Sequence, residues 1–445
     1  MVSSSGLSSI LSGGEDVIVA CASAAGFGAL AIVRLSGAHL EAVAGRLCPG
    51  LETGRARQAQ LVAILDPAGG EIDRGIGIFF SGPASYTGED VLELTVHGSP
   101  FLVREIISSA IKAGARRARP GEFSRRAVAN GKMDLPQAEA VDQLIRAESA
   151  WQARLAREQL HGRLSAKIGI LRQKLVELLA AAEASLDYVE QGVLVSDTDL
   201  LRLRNDCLKA LDFLLGTLKL GRKIRQGMKI VVLGPPNTGK SSLFNRLCRE
   251  ERAIVTPRAG TTRDLLEVYL EIEGIPVCLV DTAGLRESRD EVEIEGMTRA
   301  RESAAGADLL LLVGDHEARY EDEVPPHQEV IRIRNKIDIS PPRPDEEMAL
   351  PLSAKYGDGI EELRKEIHRR IEIQPDSFED VVAINARQAE ALSRARSHLL
   401  FDEKNERELI VEEIRLAVER MDEVLGKVDG EEILDAVFQQ FCVGK

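Results

Sequence analysis

No stretch of this 445-residue chain comes near the ~18 consecutive apolar residues that span a bilayer, so nothing in it reads as a membrane segment. The opening, Met1 to Gly14, is rich in Ser and Gly and has no Lys or Arg. It lacks the basic start of a secretory signal and reads as a loose tail. Cysteine is sparse: Cys21, Cys48, Cys207, Cys248, Cys278 and Cys442 stand without CxxC or metal-ligand spacing, as reduced thiols do in a cytosolic protein. Positive charge is in deficit as well. A formal net charge of −14 argues against a surface that grips nucleic acid over its whole face. One stretch departs from that balance. Lys112, Arg116, Arg117, Arg119, Arg125, Arg126 and Lys132 surround a single acid, Glu122, and read equally as a solvated basic turn or a polyanion contact.

What is present is an ordinary globular composition, 44% hydrophobic and 29% charged, in a chain long enough for two to four domains. Three textures alternate. Up to about Val128, short β-like runs (Val17–Val19, Leu30–Leu35, Gly75–Phe80, Val91–Val96) sit between Gly, Pro and Ser, an α+β pattern. From about Asn130 to Gly221 the period becomes helical. Leu164, Ile168, Leu171, Leu175 and Leu178 form one apolar stripe, and Leu208, Leu211, Leu215 and Leu218 a second. From Met228 to about Glu372, buried-strand runs (Ile230–Leu233, Val277–Val280, Leu309–Val313) alternate with helices, as in a parallel sheet covered by helices. After Pro375 the helical period returns, with Ile410, Ile414, Ala417 and Met421 on one face, and Ile433, Leu434, Val437 and Phe438 in a last helix. Helical segments on both sides of an α/β unit imply one helical domain with that unit inserted.

Gly234-Pro-Pro-Asn-Thr-Gly239-Lys240-Ser241 matches GxxxxGK[ST] between a strand and the helical run from Ser242, where backbone N–H groups and a helix N-terminus receive phosphates. Asn237, Thr238, Gly239, Lys240, Ser241 and Ser242 form this loop; Lys240 suits the terminal phosphates and Ser241 suits Mg²⁺. Asp281-Thr282-Ala283-Gly284 ends the next buried strand, where a carboxylate near Mg²⁺ and a glycine at the γ-phosphate belong. Asn335, Lys336 and Asp338 end another strand. The Asp338 carboxylate can accept from the N1–H and the amino group of guanine, whereas adenine would leave it unpaired, at a cost of ~1–3 kcal/mol. Ser353-Ala354-Lys355 supplies the supporting base loop. The four motifs, in this order, specify a GTPase.

The residue after Gly284 is Leu285, which cannot orient an attacking water, so hydrolysis needs another arrangement. The switch I position, Thr256-Pro257-Arg258-Ala259-Gly260-Thr261-Thr262, offers neutral oxygens, and Asn237 adds an amide oxygen; this set suits a hard, weakly held cation. The carboxylates beyond Leu285 are Glu287, Asp290, Glu291, Glu293 and Glu295, and chemistry alone selects none of them.

The Gly-x-Pro-Asn-x-Gly-Lys-Ser loop, Ala259-Gly-Thr-Thr-Arg-Asp264 and Asp281-Thr-Ala-Gly-Leu-Arg286 resemble the MnmE (TrmE) family, although ribosome-assembly GTPases share them. More specific are Tyr86-Thr-Gly-Glu-Asp-Val-Leu-Glu93, Ala118-Arg-Pro-Gly-Glu-Phe-Ser124, Lys132-Met-Asp-Leu-Pro-Gln-Ala-Glu139 and the terminus Phe441-Cys442-Val-Gly444-Lys445. The resemblance covers nearly the whole chain. It implies a multidomain α/β plus all-α architecture: an N-terminal α+β dimerisation and folate-binding domain over 1–128, a discontinuous helical bundle over 129–222 and 377–445, and an inserted P-loop GTPase domain with a Ras-like parallel sheet over 223–376. Carried over by motif, K⁺ falls to Asn237, Thr256, Arg258 through its carbonyl, and Thr261; Mg²⁺ falls to Ser241 and Thr262; Glu293 becomes the base, acting through water. The 5-formyltetrahydrofolate pocket takes Arg34, Glu93, Lys132 and Lys445. Arg286 and Cys442 are carried over as functional residues without an assigned step.

The implied activity is K⁺-dependent GTP hydrolysis coupled to modification of C5 of the tRNA wobble uridine. The implied partners are a second copy of the chain, the flavoprotein MnmG (GidA), which carries FAD in a heterotetramer, and tRNA as the substrate of the complex. Two departures from the family pattern stand outside these ligands: Ala24-Ala25-Gly-Phe-Gly28 lacks a proline, and Asn385-Ala-Arg-Gln388 has Gln where His is common. The competing reading is a ribosome-assembly GTPase of the Era or EngA kind, which lacks the N-terminal module and the terminal motif. A dimeric scaffold without catalysis is disfavoured by the complete phosphate loop.

Overall fold

The computed structural model describes residues 16–147, 149–187, 197–250, 266–273, 275–281, 304–315, 328–341, 349–370, 384–402, 406–427, 431–439, 441 and 444. The expected tail Met1 to Gly14 lies outside them. The chain forms two compact units, one from Met1–Asp142, Leu160–Gln173 and Arg415–Lys445, the other from Gln143–Gln159 and Lys174–Ile414.

The first unit is built on six strands: β1 (Val17–Cys21), β2 (Leu30–Ser36), β3 (Gln60–Leu65), β4 (Glu71–Phe80), β5 (Val91–His97) and β6 (Ala115–Arg117), in the order β3-β4-β5-β2-β1-β6. The pairings are antiparallel except β1 with β6, which is parallel. Residues alternate in exposure along β2 and β4 because successive side chains leave opposite faces. On the covered face Val33, Leu35, Leu92 and Leu94 pack with Leu40, Val43 and Leu47 of the helix Leu40–Leu47 and Ile106 and Ala110 of the helix Pro100–Lys112.

Three arginines of the basic stretch are paired within the fold, while Lys112, Arg117, Arg119 and Lys132 are exposed. Arg116 donates to both carboxylate oxygens of Glu122 and is bonded to Asp16. Arg126, 3% exposed, pairs with Asp16 at 2.8 Å and Glu89 at 3.1 Å, and Arg125 pairs with Asp435 at 2.6 Å. Burial opposes charge on Asp16 and Glu122, but the guanidinium groups of Arg116 and Arg126 outweigh it and hold both carboxyls below the usual carboxylate range. Neither a solvated turn nor an open polyanion surface describes these three arginines.

The second unit carries β7 (Met228–Leu233), β8 (Leu266–Ile272), β9 (Ile275–Asp281), β10 (Leu309–Gly314), β11 (Val330–Arg334) and β12 (Leu350–Pro351), in the order β12-β11-β10-β7-β9-β8. All pairings are parallel except β8 with β9. Every residue of β9 and β10 is buried, as a sheet covered on both faces requires. The helices Lys240–Glu250 and Ile360–Arg370 bring Leu243, Phe244, Leu247, Leu363 and Ile367 onto one face of that core.

Helices account for the rest. In Arg163–Asp187 the expected stripe of Leu164, Ile168, Leu171, Leu175 and Leu178 is buried throughout. In Asp197–Gln226 the buried line is Cys207, Leu211, Leu214 and Thr217; Leu208 and Leu215 are only half-buried, so the stripe is rotated from the one the leucines suggested. In Arg407–Leu425, Ile410, Ile414, Ala417 and Met421 are buried as expected. Gln388, unusual for the motif, closes a capping box with Asn385 at the start of Ala386–His398, which gives it a local structural role. Among the described residues no helix is long and apolar enough to cross a membrane, and the five described cysteines are free.

Candidate functional site: a nucleotide cleft and a tail-sealed arginine

The phosphate loop leaves β7 at its C-terminal end and enters the helix Lys240–Glu250. Asn237 sits at φ 62°, a left-handed conformation that Asn tolerates, and is exposed. Gly239, at φ 92°, has no room for a side chain: a Cβ there would stand 2.2 Å from Nδ2 of Asn335. Lys240 is buried, with its Nζ donating to the carbonyls of Gly234 at 2.8 Å and Pro235 at 2.6 Å. The hydroxyl of Thr238 donates to Pro235 O at 2.9 Å, while Ser241 and Ser242 are exposed at the helix start. Successive N–H groups at this helix end favour an anion, and Lys240 can exchange its carbonyl partners for phosphate oxygens. Asp281, the last residue of β9, is buried beside the loop strand, paired in register with Val232. Burial pushes the Cys248 thiol up to about 11, and the Asp281 charge adds to the effect.

The base end is stitched to the phosphate end. Buried Asn335 donates from Nδ2 to Thr238 O at 2.8 Å and accepts from Ala354 N–H at 3.0 Å. The hydroxyl of Ser353 donates to Asp338 Oδ1 at 2.7 Å, which aims that carboxylate. Lys336 pairs with Asp315 at 2.9 Å, and Lys355 lies over the Tyr356 ring at 4.9 Å. Asn237 to Ser242, Asp281, Asn335, Lys336, Asp338 and Ser353 to Lys355 therefore gather at the C-terminal ends of the parallel strands of one sheet, where open α/β sheets bind ligands.

In the first unit a separate cluster forms around Arg34 of β2. Its Nε and Nη2 reach Glu93 Oε1, each at 2.8 Å, across the β2–β5 pair. The guanidinium lies 5.2 Å from the Tyr86 ring centroid and 5.7 Å from that of Phe123. Tyr86 is fixed by its hydroxyl bond to Ser124 at 2.8 Å. The carbonyl of Gly444 stands 3.5 Å from Arg34 Nη1. Gly444 is held at φ 101°, and a Cβ there would be 2.1 Å from the Cys21 carbonyl oxygen. The chain end is anchored just before this point, where the Phe438 and Phe441 rings, 5.1 Å apart, pack with Leu135, Ala138 and Leu434. Lys132 is exposed and donates to Pro83 O at 2.9 Å, its stem lying over Gly88 in the loop that follows Tyr86.

Residues 17–132 match the family model described as GTP-binding protein TrmE N-terminus, and residues 135–442 match the MnmE helical domain. A tRNA modification GTPase MnmE of Symbiobacterium thermophilum is 40% identical over 97% of this chain and 100% of that one. The MnmE proteins of Aquifex aeolicus and Azoarcus sp. are 38% and 41% identical, again over 97% of this chain and over 100% and 98% of their own lengths. The chain belongs to the MnmE family of tRNA modification GTPases. Among solved structures, the G domain of the T. maritima FeoB iron transporter is 26% identical with a TM-score of 0.25, covering 32% of this chain and 98% of that one. A GTP-binding protein of Sulfolobus solfataricus in complex with GDP is 18% identical with a TM-score of 0.24, covering 45% of this chain and 66% of that one.

Membership across this length removes the Era and EngA alternative. Of the residues that MnmE resemblance implied, the structure brings together the phosphate-loop and base-loop set in one unit and Arg34 with Glu93 in the other. Thr256 to Thr262, Thr282 to Gly284, Arg286, Glu293, Cys442 and Lys445 lie outside the described residues. Two contributors went unread in the sequence, namely the ring pair Tyr86 and Phe123, and the Gly444 backbone. Tyr86 and Phe123 lay within the motifs already singled out; their pairing across Arg34 depends on β1, β2 and β5 meeting in one sheet.

Proposed function

We propose that this MnmE-family GTP hydrolase couples K⁺-assisted hydrolysis to the modification of C5 of the tRNA wobble uridine. The chain acts as a homodimer with the flavoprotein MnmG, which contributes FAD, and takes a one-carbon unit from folate, bound in the pocket assigned to 5-formyltetrahydrofolate. The domain boundaries are those expected above, with the GTPase part at 223–376.

The observation that carries the folate half is the meeting of Arg34, Glu93, two aromatic rings and the Gly444 carbonyl. Arg34 and Glu93 keep 14% and 25% side-chain exposure, so a donor edge and an acceptor edge remain open beside an aromatic wall. A flat pterin, with N–H donors for Glu93 and a π-face for half-buried Tyr86, suits that surface, while fully buried Phe123 backs Arg34 from below. Lys132, and Lys445 after Gly444, supply cations for the glutamate tail. When bound, the folate would supply a one-carbon unit; the chain's residues bind it and hold its orientation.

At the nucleotide, Lys240 takes the terminal phosphate oxygens and Asp338 reads the guanine edge. Ser241 and Thr262 hold Mg²⁺, and Asn237, Thr256, Arg258 and Thr261 hold K⁺. The described members of this set, exposed Asn237 and Ser241, offer neutral oxygens of the kind that hard cations take. Bound there, the two ions supply positive charge at the phosphates. Glu293 accepts the proton of the attacking water through a second water. Deletion of Val443 to Lys445 tests the reading: wobble modification should be lost in a complemented null strain while K⁺-dependent GTP hydrolysis persists. Restored modification by the truncated chain would refute it.

A further inference from the structure

Arg246 belongs to none of the nucleotide motifs. It stands in the second turn of the helix Lys240–Glu250, beyond the phosphate loop, and its side chain crosses to the base loop. Nε donates to Ala354 O at 3.1 Å, and Nη2 donates to Lys355 O. Two successive carbonyls are thus taken along one edge of the guanidinium, by Nε–H and Nη2–H, a fork that Arg presents in fixed geometry and Lys does not.

Ala354 is consequently held at both poles of its backbone, its N–H by Asn335 and its C=O by Arg246. The remaining hydrogen bonds of the loop are largely internal: Ser353 N–H to Asp358 O at 2.9 Å, Gly357 N–H to Ser353 O at 2.7 Å, and Tyr356 N–H to Ser353 Oγ at 3.3 Å. Ser353 is the residue whose hydroxyl aims Asp338. A chain of contacts therefore runs from the phosphate-loop helix through Arg246, Ala354 and Ser353 to the carboxylate that faces the base.

We propose that Arg246 is a positioning residue for guanine selectivity, clamping the base loop to the phosphate-loop helix so that Asp338 meets both base donors. Arg246 is assigned no contact with the nucleotide and acts through Ala354 and Ser353. Its removal frees the loop to drift, and the bidentate contact to guanine degrades towards a single bond. The inference rests on Asp338 being the reader of the base.

Affinities for GDP and inosine diphosphate test it, because inosine lacks the 2-amino group and leaves Asp338 one bond in place of two. In the full chain, Arg246→Ala should weaken GDP binding about tenfold or more and inosine diphosphate binding less, so that the ratio between them shrinks. The loss should fall on KM for GTP and not on kcat. Arg246→Lys, which can recover one carbonyl, should restore part of the ratio. Asp338→Asn should abolish the preference altogether. If it does not, the base assignment fails and takes the inference with it. If Asp338→Asn behaves as expected but the ratio stays at its wild-type value in Arg246→Ala (or in Arg246→Lys, should the alanine variant not fold), the inference alone is overturned.

Discussion

Gly444→Ala is a one-atom perturbation with a large expected consequence. The native φ of 101° lies in a region that costs an L-residue about 1–2 kcal/mol, and the new Cβ would be 2.1 Å from a backbone oxygen of Cys21. That oxygen belongs to β1, whose pairing with β2 places Cys21 opposite Val33, so it cannot yield cheaply. Relieving the contact adds about 1 kcal/mol or more, as overpacking does. The docked tail should therefore lose at least about 2 kcal/mol, roughly 30-fold in the docking equilibrium constant. Arg34 would lose the Gly444 carbonyl, and 5-formyltetrahydrofolate should bind correspondingly more weakly by calorimetry. Carboxypeptidase should trim the variant faster, whereas GTP hydrolysis in K⁺ should not change. Gly444→Asn eases the left-handed cost but keeps the Cβ, so it should recover only part of the loss. Unchanged folate affinity together with unchanged trimming would refute the reasoning that the tail seals the Arg34 site.

GTP turnover should be fast in K⁺ and much slower in Na⁺, since a cage of oxygens sized for the larger ion fits the smaller badly; equal steady-state rates would remove the cation from the account. Glu293→Ala should leave GTP affinity nearly unchanged and slow single-turnover hydrolysis ~10²–10⁴-fold, the usual range for loss of a general base; an equal effect of Glu291→Ala alone would show the wrong carboxylate was chosen. Arg126→Met removes a buried cation from among Asp16, Glu89 and Glu122 and should cost about 3–5 kcal/mol in thermal unfolding at pH 7. The folded pKa values of Asp16 and Glu122 lie below their ordinary 3.8 and 4.5, so the stabilisation is present above about pH 4.5 and fades as pH falls further. The gap between variant and wild type should narrow below that pH; a constant gap would contradict the assigned network.

The strands of the GTPase sheet were legible because burial on both faces leaves uninterrupted apolar runs, and β7, β9 and β10 lie over the stretches that those runs marked. The three-residue β6 was not legible, since Ala115–Arg117 reads as part of a basic loop until its pairing with β1 is known. The second helical stripe was misread by one position because leucine spacing alone does not say which side of the helix meets a neighbour; Cys207 and Leu214 carry the burial instead. At the nucleotide cleft the motifs named residues that gather at the C-terminal ends of the parallel strands. They were silent about Arg246, whose partners are backbone carbonyls more than a hundred residues away and leave no mark in sequence. The basic stretch shows the same limit from the other side: charge counted along the chain did not single out Arg116, Arg125 and Arg126, which the tertiary fold pairs with Asp16, Glu89 and Asp435.

The central claim is that GTP hydrolysis by this chain drives wobble-uridine modification. Mass spectrometry of tRNA nucleosides tests it most directly, in a strain lacking the protein and complemented with either the wild type or Lys240→Ala. The account predicts that C5-modified wobble uridines disappear in the null strain, return with the wild type and fail to return with Lys240→Ala. An unchanged nucleoside profile in the null strain, or full restoration by Lys240→Ala, would contradict it.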